Sequence, residues 1–361
     1  MPMMPVTDTR YAVGELVRYA TDLFAAAGMP QDRAAVVAEL LVEADAMGHD
    51  THGLNLAALY LTHLKDGTMA ATGDYEVVTD RGATVVWDGG YLSGVWLTWK
   101  AIQIGCERAK QYGTATFSIR RSHHIACLAT FLQQATDQGL MITLACSDPS
   151  IAAVAPHGSY EAIFTPDPLA VGIPTTHDPI LIDISASATT MGLTARAGAG
   201  DEHLPGPWLV DNQGRASADP KVLETDPPGA LLPLGGLDRG HKGFSLALMV
   251  EALTSALPGY GRANGPTNWG AGIYLHIIDP SAFGGLDEFK FQTGWLADVC
   301  RAAAVPEGQS PVRMPGDGAL ARKRDAVANG VALYPTIIND LAPWAERLGV
   351  TPATEQIARG N

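Results

Sequence analysis

Apolar positions at helical spacing dominate the first seventy residues of the chain. Residues 11–27 carry an apolar face that stops at Gly28, and Pro30 opens a second helix. A third amphipathic segment covers residues 54–64 and ends before Gly67. The sequence therefore predicts a helical region at this end of the chain.

The periodicity changes after Gly73, where short β-like runs alternate with helices. The predicted strands are residues 75–78, 83–87, 115–119 and 141–145. The predicted helices are residues 95–112, 128–138, 244–257 and 286–304. From Gly316 the pattern is helical again, with residues 335–348 as the last amphipathic segment. Gly- and Pro-rich stretches at 198–207 and 259–272 predict loops long enough to line a site.

Composition narrows the class of protein. The 361 residues include 24 Lys and Arg against 38 Asp and Glu, a formal charge of −14. This balance argues against nucleic acid or an anionic membrane surface as a partner, because phosphate binding needs clustered cations. Only 17% of the residues are charged, which favours an oligomer with extra buried surface. No run of about 18 apolar residues predicts a transmembrane helix.

The start of the chain and its cysteines indicate the compartment. Residues 1–8 contain no basic segment followed by an apolar one, so we expect no secretory signal. The cysteines form neither a CxxC pair nor a zinc-like spacing. They are Cys106, Cys127, Cys146 and Cys300. We therefore expect reduced thiols in a cytoplasmic protein.

Histidine positions point to a catalytic site. His49 and His52 lie at a helix-to-helix junction with Thr51 between them, and His123 and His124 follow directly on a predicted strand. An imidazole beside a hydroxyl can be oriented and tuned for proton transfer near neutral pH. Residues where a strand leads into a loop are often recruited to sites. One interpretation is therefore that both clusters give protons to a bound substrate.

Two other interpretations of the histidines stay open. They could be capping or core residues with satisfied hydrogen bonds. They could also be metal ligands, because His49 and His52 with Asp45, or His123 with His124, offer enough nitrogen and oxygen donors. A ligand pair at helical i, i+4 spacing is missing, and adjacent side chains at a strand end are expected to point in opposite directions. Both points weaken the metal interpretation.

The usual nucleotide fingerprints are absent. Neither G-x-G-x-x-G between a strand and a helix nor G-x-x-x-x-G-K-[ST] occurs, and the nearest run, 89–94, has the wrong spacing for anything but a turn. Basic segments at 239–243 and 313–316 precede helices, where they could bind an anion or form a solvated basic face. Asp183 follows an apolar run and could accept ribose hydroxyls or cap a helix.

Motifs along nearly the whole chain are similar to those of one family. Residues 44–53 are similar to its Ala-Asp-x-x-Gly-x-x-Ser-His-Gly motif, and residues 119–124 to its Val-Arg-Asn-Ser-x-His motif. Further matches, in order along the chain, are residues 155–158, 167–174, 241–244, 278–280 and 314–316. The chain therefore resembles the malate/L-lactate dehydrogenase family of the non-Rossmann type, over residues 16–350.

The resemblance implies an α+β fold in two domains. Residues 73–314 would form a nicotinamide-binding sheet domain that is not of the Rossmann type, and residues 1–72 would join 315–361 in a helical domain. The resemblance also implies a homodimer with active sites near the subunit interface. The cofactor would be NADH or NADPH, between which the sequence does not choose. Family members reduce a C=O or C=N next to a carboxylate, or run the reverse oxidation.

The resemblance also implies roles for individual residues. His52 and His124 are the candidates for proton transfer, with Thr51 where the family has Ser. The residues that would hold the cofactor are His124, Ile125, Ala126, Cys127, Leu128, Asp183, Ile184, Ser185, Lys242, Gly316 and Arg322. Ser147 and Asp148 lie where substrate contacts are expected.

Departures from the family pattern concentrate in the substrate pocket. Leu56 stands where the family usually has an Arg that grips the substrate carboxylate, a charged hydrogen bond worth about 1.5–3 kcal/mol. Either Arg120 or Arg121 replaces that cation, or the substrate is larger and more apolar than malate or lactate. Leu193 stands where ketimine reductases carry an Asp. Other replacements are Arg121 for Asn, Ala126 for Gly, Pro166 for Thr and Asp167 for Asn.

We therefore predict an NAD(P)H-dependent oxidoreductase that reduces the C=O or C=N of a small 2-oxo or 2-imino acid with a histidine proton donor. Oxidation of a 2-hydroxy acid is the alternative direction. From a different class, a metal-dependent hydrolase or lyase would use His49, His52 and Asp45. A protein that binds the cofactor without turnover is a further alternative.

Overall fold

The computed structural model describes residues 9–356, and the expectation about residues 1–8 lies outside that range. The helices are α1 (Val13–Ala26), α2 (Gln31–Met47), α3 (Ala57–Asp66), α4 (Gly94–Tyr112), α5 (Ala129–Thr136), α6 (Met191–Ala199), α7 (Gly236–Arg239), α8 (His241–Glu251), α9 (Leu286–Arg301), α10 (Asp317–Asn329) and α11 (Thr336–Leu348). No helix within 9–356 is both long and apolar enough to cross a bilayer.

The strands form three sheets. They are β1 (Arg10–Tyr11), β2 (Glu76–Asp80), β3 (Thr84–Asp88), β4 (Thr114–Ser122), β5 (Met141–Ser147), β6 (Leu169–Ile173), β7 (Ile180–Ile184), β8 (Leu209–Val210), β9 (Ala216–Ser217), β10 (Ala230–Leu231), β11 (Ala271–Ile278) and β12 (Glu355–Gln356). The largest sheet has the order β2-β3-β4-β11-β5-β6-β7, in which only β3 and β4 are parallel. The expected α+β class is confirmed.

The two ends of the chain meet. β1 pairs antiparallel with β12, and Tyr11 also forms a bridge with Val331. In the same region α10 packs on α2, while α11 packs on α1 and α3. One hydrophobic core runs from these helices into the large sheet and includes Leu16, Tyr60 and Ile142. The exact domain boundaries at 72 and 314 stay a prediction.

A second, smaller core was not expected from the sequence. It surrounds the three-stranded sheet β10-β8-β9 and is built from residues such as Val154, Phe164, Leu209 and Ala247. The strands of this sheet have two residues each, too short for an alternating pattern to be recognised. A third small cluster contains Ala155 and Val210, so the segment predicted as one sheet domain holds parts of three hydrophobic clusters.

Two predicted boundaries differ from the structure, and a central strand was not predicted. The predicted helix 244–257 ends as α8 at Glu251, and a π-helical turn, Ala252–Ala256, follows. The predicted loop 198–207 begins only at Gly200, because α6 continues to Ala199. β11, at the centre of the large sheet, was missed because it follows directly on the Gly- and Pro-rich loop, which was predicted to extend to residue 272.

Candidate active site

A buried carboxylate shapes the loop that carries the first histidines. α2 ends at Gly48, which adopts a left-handed conformation with φ of 84°. Asp45 accepts a hydrogen bond from the Leu54 N–H at 2.8 Å, and a Cβ on Gly53 would collide with the Asp45 carboxylate. Burial raises the pKa of Asp45 well above its usual value. The spacing of Asp45 and Gly53 thus serves to hold the loop in place.

His52 and His124 are brought together as the sequence predicted. Their ring centroids lie 6.3 Å apart with the planes inclined by 28°. The Nδ1 atom of His52 is 2.8 Å from the hydroxyl of Thr51, which orients the ring. Burial, together with the neighbouring His49, lowers the pKa of His52 to about 4. His52 is therefore a neutral imidazole at physiological pH.

His124 is held by two donors on one nitrogen. Its Nδ1 lies 2.8 Å from the hydroxyl of Tyr60 and accepts a 3.3 Å hydrogen bond from the N–H of Ala126. The tight approach of Ala126 comes from its left-handed backbone, with φ of 57°, where the family has Gly. Because a backbone N–H can only donate, Nδ1 is an acceptor in this arrangement, and Nε2 forms no hydrogen bond among residues 9–356. Burial and the nearby imidazoles lower the pKa of His124 well below its usual value.

Tyr60, His63 and Trp269 complete the cluster, and their role was not predicted from the sequence. The Nδ1 of His63 lies 2.8 Å from the Nε2 of His123. The ring of Trp269 stacks on His124 at 4.5 Å and stands edge-on to both His63 and His123. Tyr60 and His63 are three residues apart on α3, so they share a face of that helix. That spacing was a usable signal, whereas nothing local linked Trp269 to the site.

The expectation that His123 and His124 point in opposite directions is wrong. Both rings contact Tyr60 and Trp269. β4 ends at Ser122, so the two histidines lie beyond the pleated strand and the alternation rule does not apply to them.

Asp183 contacts the start of α5 and the segment just before it. The Asp183 carboxylate accepts a 3.0 Å hydrogen bond from the Ala129 N–H and lies 3.8 Å from the Cys127 sulfur. Burial raises the pKa of Asp183, although the nearby His49 opposes this. Of the residues that follow Asp183, Ile184 is 43% exposed, and Ser185 donates a hydrogen bond to the Ser187 carbonyl. Ile125, Ala126, Cys127 and Leu128 are buried beside this group.

The remaining residues expected at the cofactor lie on either side of β7. The Gly316 position packs against Leu181, and the Pro315 carbonyl accepts the Leu181 N–H at 3.0 Å. Arg322 donates a 2.8 Å hydrogen bond to the Met47 carbonyl at the end of α2. Lys242 is exposed in the first turn of α8.

Unsatisfied polar groups in this region fit a dinucleotide cofactor. The hydroxyl of Thr189, between β7 and α6, is buried and has no hydrogen-bond partner among residues 9–356. The guanidinium groups of Arg313 and Arg322 both approach Gly318, and in the described part of the chain neither forms an ion pair with a carboxylate. A polar group of a bound ligand could satisfy the Thr189 hydroxyl, and the two neighbouring guanidiniums could bind an anionic group such as a phosphate.

The residues expected at the substrate form other hydrogen bonds. The Ser147 hydroxyl lies 2.7 Å from that of Thr254 and 3.3 Å from that of Ser255. Asp148 accepts hydrogen bonds from Ser150 and, at 3.2 Å, from the N–H of Gly270. These contacts tie both residues to the chain around the Gly- and Pro-rich loop rather than to the histidine pair.

Arg120 is also engaged elsewhere. Its Nε lies 2.9 Å from Asp88, which also pairs with Arg121. Burial opposes ionisation of Asp88, but the two guanidiniums hold its pKa below the usual value. No set of three His, Cys, Asp or Glu side chains between residues 9 and 356 is grouped as metal ligands would be. The geometry thus gives no support to the metal-dependent alternative.

Comparisons with known proteins agree with the geometry. A family model described as malate/L-lactate dehydrogenase matches residues 11–342. The L-sulfolactate dehydrogenase of Methanothermobacter thermautotrophicus is 26% identical over 349 residues, which cover 94% of this chain and 98% of that protein.

Two solved structures are similar over nearly their whole length. Malate dehydrogenase from Entamoeba histolytica matches with a TM-score of 0.88 at 23% identity, covering 95% of this chain and 99% of that one, a likeness of fold alone. The delta1-piperideine-2-carboxylate reductase from Pseudomonas syringae pvar.tomato matches with a TM-score of 0.81 at 26% identity, covering 93% and 99%.

Proposed function

Because the chain belongs to the malate/L-lactate dehydrogenase family, we propose that it reduces the C=O or C=N of a small 2-oxo or 2-imino acid, with His124 exchanging the proton. The chain is an NAD(P)-dependent oxidoreductase. The observation that carries the proposal is the pair of stacked imidazoles, in which the Nδ1 of His124 is occupied and its Nε2 is left for a substrate.

His124 suits proton exchange because its second nitrogen is fixed. The Tyr60 hydroxyl can donate to the neutral ring and, after rotating, accept from the imidazolium, so it follows the protonation of Nδ1. A general acid or base of this kind contributes about 10²–10⁴-fold to a rate. The neutral ring can also polarise a carbonyl through its Nε2 proton. His52, oriented by Thr51, lies beside it as the second polar group facing the substrate.

The cofactor, NADH or NADPH, supplies or accepts the hydride when bound. We assign its phosphate groups to Arg313 and Arg322 at the start of α10, and its remaining polar groups to Thr189 and Asp183. Lys242 is an exposed cation that completes the positive charge on this side. In this proposal the protein holds and orients the cofactor, while the imidazoles handle the proton.

The substrate proposed here differs from simple malate or lactate. Leu56 lies in a short 3-10 helix and packs against the main core, so it offers no charge to a carboxylate. Leu193, where ketimine reductases carry an Asp, packs against the second core. The named relatives act on several acids, among them L-sulfolactate and delta1-piperideine-2-carboxylate. We therefore propose a carboxylate substrate with a larger or more apolar body, or with a cyclic imine.

The proposal also covers the direction of the reaction and the oligomeric state. The same groups support oxidation of a 2-hydroxy acid, because proton and hydride transfer are reversible. We also propose a cytoplasmic homodimer. The low share of charged residues supports assembly, as does an exposed apolar stripe on α9 that includes Phe291 and Trp295.

Cofactor binding is the first experiment. Purified protein is titrated with NADH and with NADPH, and quenching of its seven tryptophans is recorded. We expect saturable binding of at least one of them, followed by turnover in a screen of 2-oxo acids and cyclic imines. His124→Ala is expected to lose turnover even at saturating concentrations of the cofactor. Binding of neither dinucleotide would refute the proposal.

A further inference from the structure

Trp269 contacts three histidines, of which the proposed function uses one. Its ring lies parallel to His124, with a 4.5 Å centroid distance and 17° between the planes. It stands almost perpendicular to His123 at 5.1 Å and to His63 at 5.3 Å. The parallel arrangement places an indole face, where the π-system is negative, against the imidazole of His124.

The loop that carries Trp269 is fastened on both sides of the indole. After it, the Gly270 N–H donates to the Asp148 carboxylate, and a Cβ on Gly270 would lie only 2.5 Å from the Ser122 carbonyl oxygen. Before it, Arg262 forms a 2.7 Å hydrogen bond to Glu251. Ser122 ends β4 just before the histidines, so the indole and the imidazole are attached to backbones in direct contact.

Apart from the Tyr60 hydroxyl, which can turn to accept from a protonated Nδ1, the other groups that face His124 oppose a positive charge on it. They are His52 from the loop before α3, His63 from α3 itself, the adjacent His123 and the N–H of Ala126. No carboxylate contacts the ring within the described residues. Burial and the three imidazoles lower the pKa of His124. Besides the Tyr60 hydroxyl, the indole face is therefore the contact that favours the imidazolium.

We propose that Trp269 is a positioning residue for His124: its indole face holds the imidazole plane and stabilises the imidazolium, which gives its Nε2 proton to the reduced oxygen or nitrogen of the substrate and returns to a neutral ring that keeps its proton on Nδ1. This inference rests on the proposed function, because it assigns the proton exchange to His124. It adds a residue from a distant loop to the machinery of that reaction.

The pH dependence of turnover tests the proposal. Trp269→Leu removes the aromatic face, while Trp269→Phe keeps a smaller one. In the Leu variant we expect the apparent pKa of the kcat profile to fall by about 0.5 to 1.5 units, because a cation–π contact of this kind is worth that much. We expect kcat itself to fall about 3- to 10-fold. The Phe variant is expected to lie between the Leu variant and the wild type in both quantities.

Trp344→Leu is the matched control, because Trp344 lies on α11, where its ring contacts the Arg347 guanidinium instead of an imidazole. It is expected to leave the pH profile unchanged. An apparent pKa in Trp269→Leu that equals or exceeds the wild-type value would overturn the proposal. A Phe variant that behaves like the Leu variant would do the same, because packing alone would then explain the loss.

Histidine NMR separates this inference from the proposed function. With ¹³C-labelled histidine, the His124 signal is identified by its absence in His124→Gln and followed from pH 8 downward to the lowest pH at which the protein stays folded. We expect it to respond at lower pH in Trp269→Leu than in the wild type, and identical responses would contradict the inference. If no 2-oxo or 2-imino acid is turned over while this difference is present, the proposed function fails and the role of Trp269 stands.

Discussion

Two polar clusters contact the loop at 259–272, and burial shifts pKa values in both. The imidazole cluster consists of His52, His63, His123 and His124. The carboxylate cluster consists of Asp148, Asp167 and Glu251, with Arg262 among them. Burial lowers the pKa of His52 to about 4 and raises that of Asp167 to about 8. Because a charge is costly in a low-dielectric interior, the neutral form wins in these residues of both clusters.

The clusters differ in what their remaining atoms do. Asp148 accepts from Ser150 and Gly270, and Glu251 accepts from Arg262 and Ser255, so these carboxylates fasten the loop. In the imidazole cluster the Nδ1 of His124 is occupied, while its Nε2 forms no hydrogen bond within residues 9–356. The comparison teaches that perturbed protonation alone does not mark the reactive group. The reactive group is marked instead by a ring in which one nitrogen is held by hydrogen bonds and the other has none.

The largest effect on activity should come from a substitution in the imidazole cluster. His124→Ala is expected to lower kcat by about 10²–10⁴-fold on a confirmed substrate, because the proton-exchanging group is lost. Steady-state kinetics and cofactor titration measure the two functions separately. His276→Ala is the control, since His276 is half-buried on β11 and bonds to Thr116 instead. An unchanged kcat in His124→Ala would sink the assignment.

The hydroxyl on Nδ1 should matter less than the ring. Tyr60→Phe removes the 2.8 Å contact with His124 and is expected to lower kcat about 5-fold, in line with one neutral hydrogen bond of about 1 kcal/mol. Tyr19→Phe is a close control, because the buried Tyr19 hydroxyl has no partner among the described residues. Equal activity in the two variants would mean that Tyr60 does not orient His124.

Because the carboxylates fasten the loop and do not touch the substrate in this proposal, replacing one of them should lower kcat less. Asp148→Asn leaves one carbonyl oxygen for donors that now use two carboxylate oxygens, so the Gly270 or the Ser150 bond is lost. We expect kcat to fall about 3-fold while cofactor affinity is unchanged, because the loop with Trp269 loosens. Asp279→Asn, at the cap that binds the Ser281 N–H, serves as the control. A fall in cofactor affinity without a fall in kcat would point to a different role.

We expect Asp167 to affect the stability of the protein rather than its activity. Its pKa is raised to about 8 by burial and by Glu251, so between about pH 4 and 8 the unfolded chain binds fewer protons and the stability of the wild type falls as pH rises. Asp167→Asn keeps the acceptor for the Thr165 hydroxyl without this cost.

We expect Asp167→Asn to raise the free energy of unfolding by on the order of 1 kcal/mol at pH 7, with a gain that grows across this window and levels off above pH 8. Denaturant titrations at pH 5, 7 and 9 measure it, with Asp219→Asn as the control. A gain that is independent of pH would show that Asp167 does not hold a proton in the folded protein.

Much of the fold and one part of the site were predictable from the sequence. Helical spacing placed α1 to α5 within a few residues, because amphipathic periodicity is a local property. Ordered motifs placed His52 and His124 in one site. The partners of those rings were not predictable in the same way, because Tyr60 and His124 are 64 residues apart and meet only through packing of α3 beside the end of β4.

The sequence by itself determined the family and the α+β class and predicted the two histidines as site residues, since these depend on residue types in order along the chain. Only the tertiary structure decided that Nε2 of His124 is the free nitrogen, that Trp269 stacks on its ring, and that Asp148 and Arg120 are committed to other contacts. The reason is physical. A hydrogen bond or a ring stack depends on distance and direction between segments that the chain brings together last, and no local pattern encodes either.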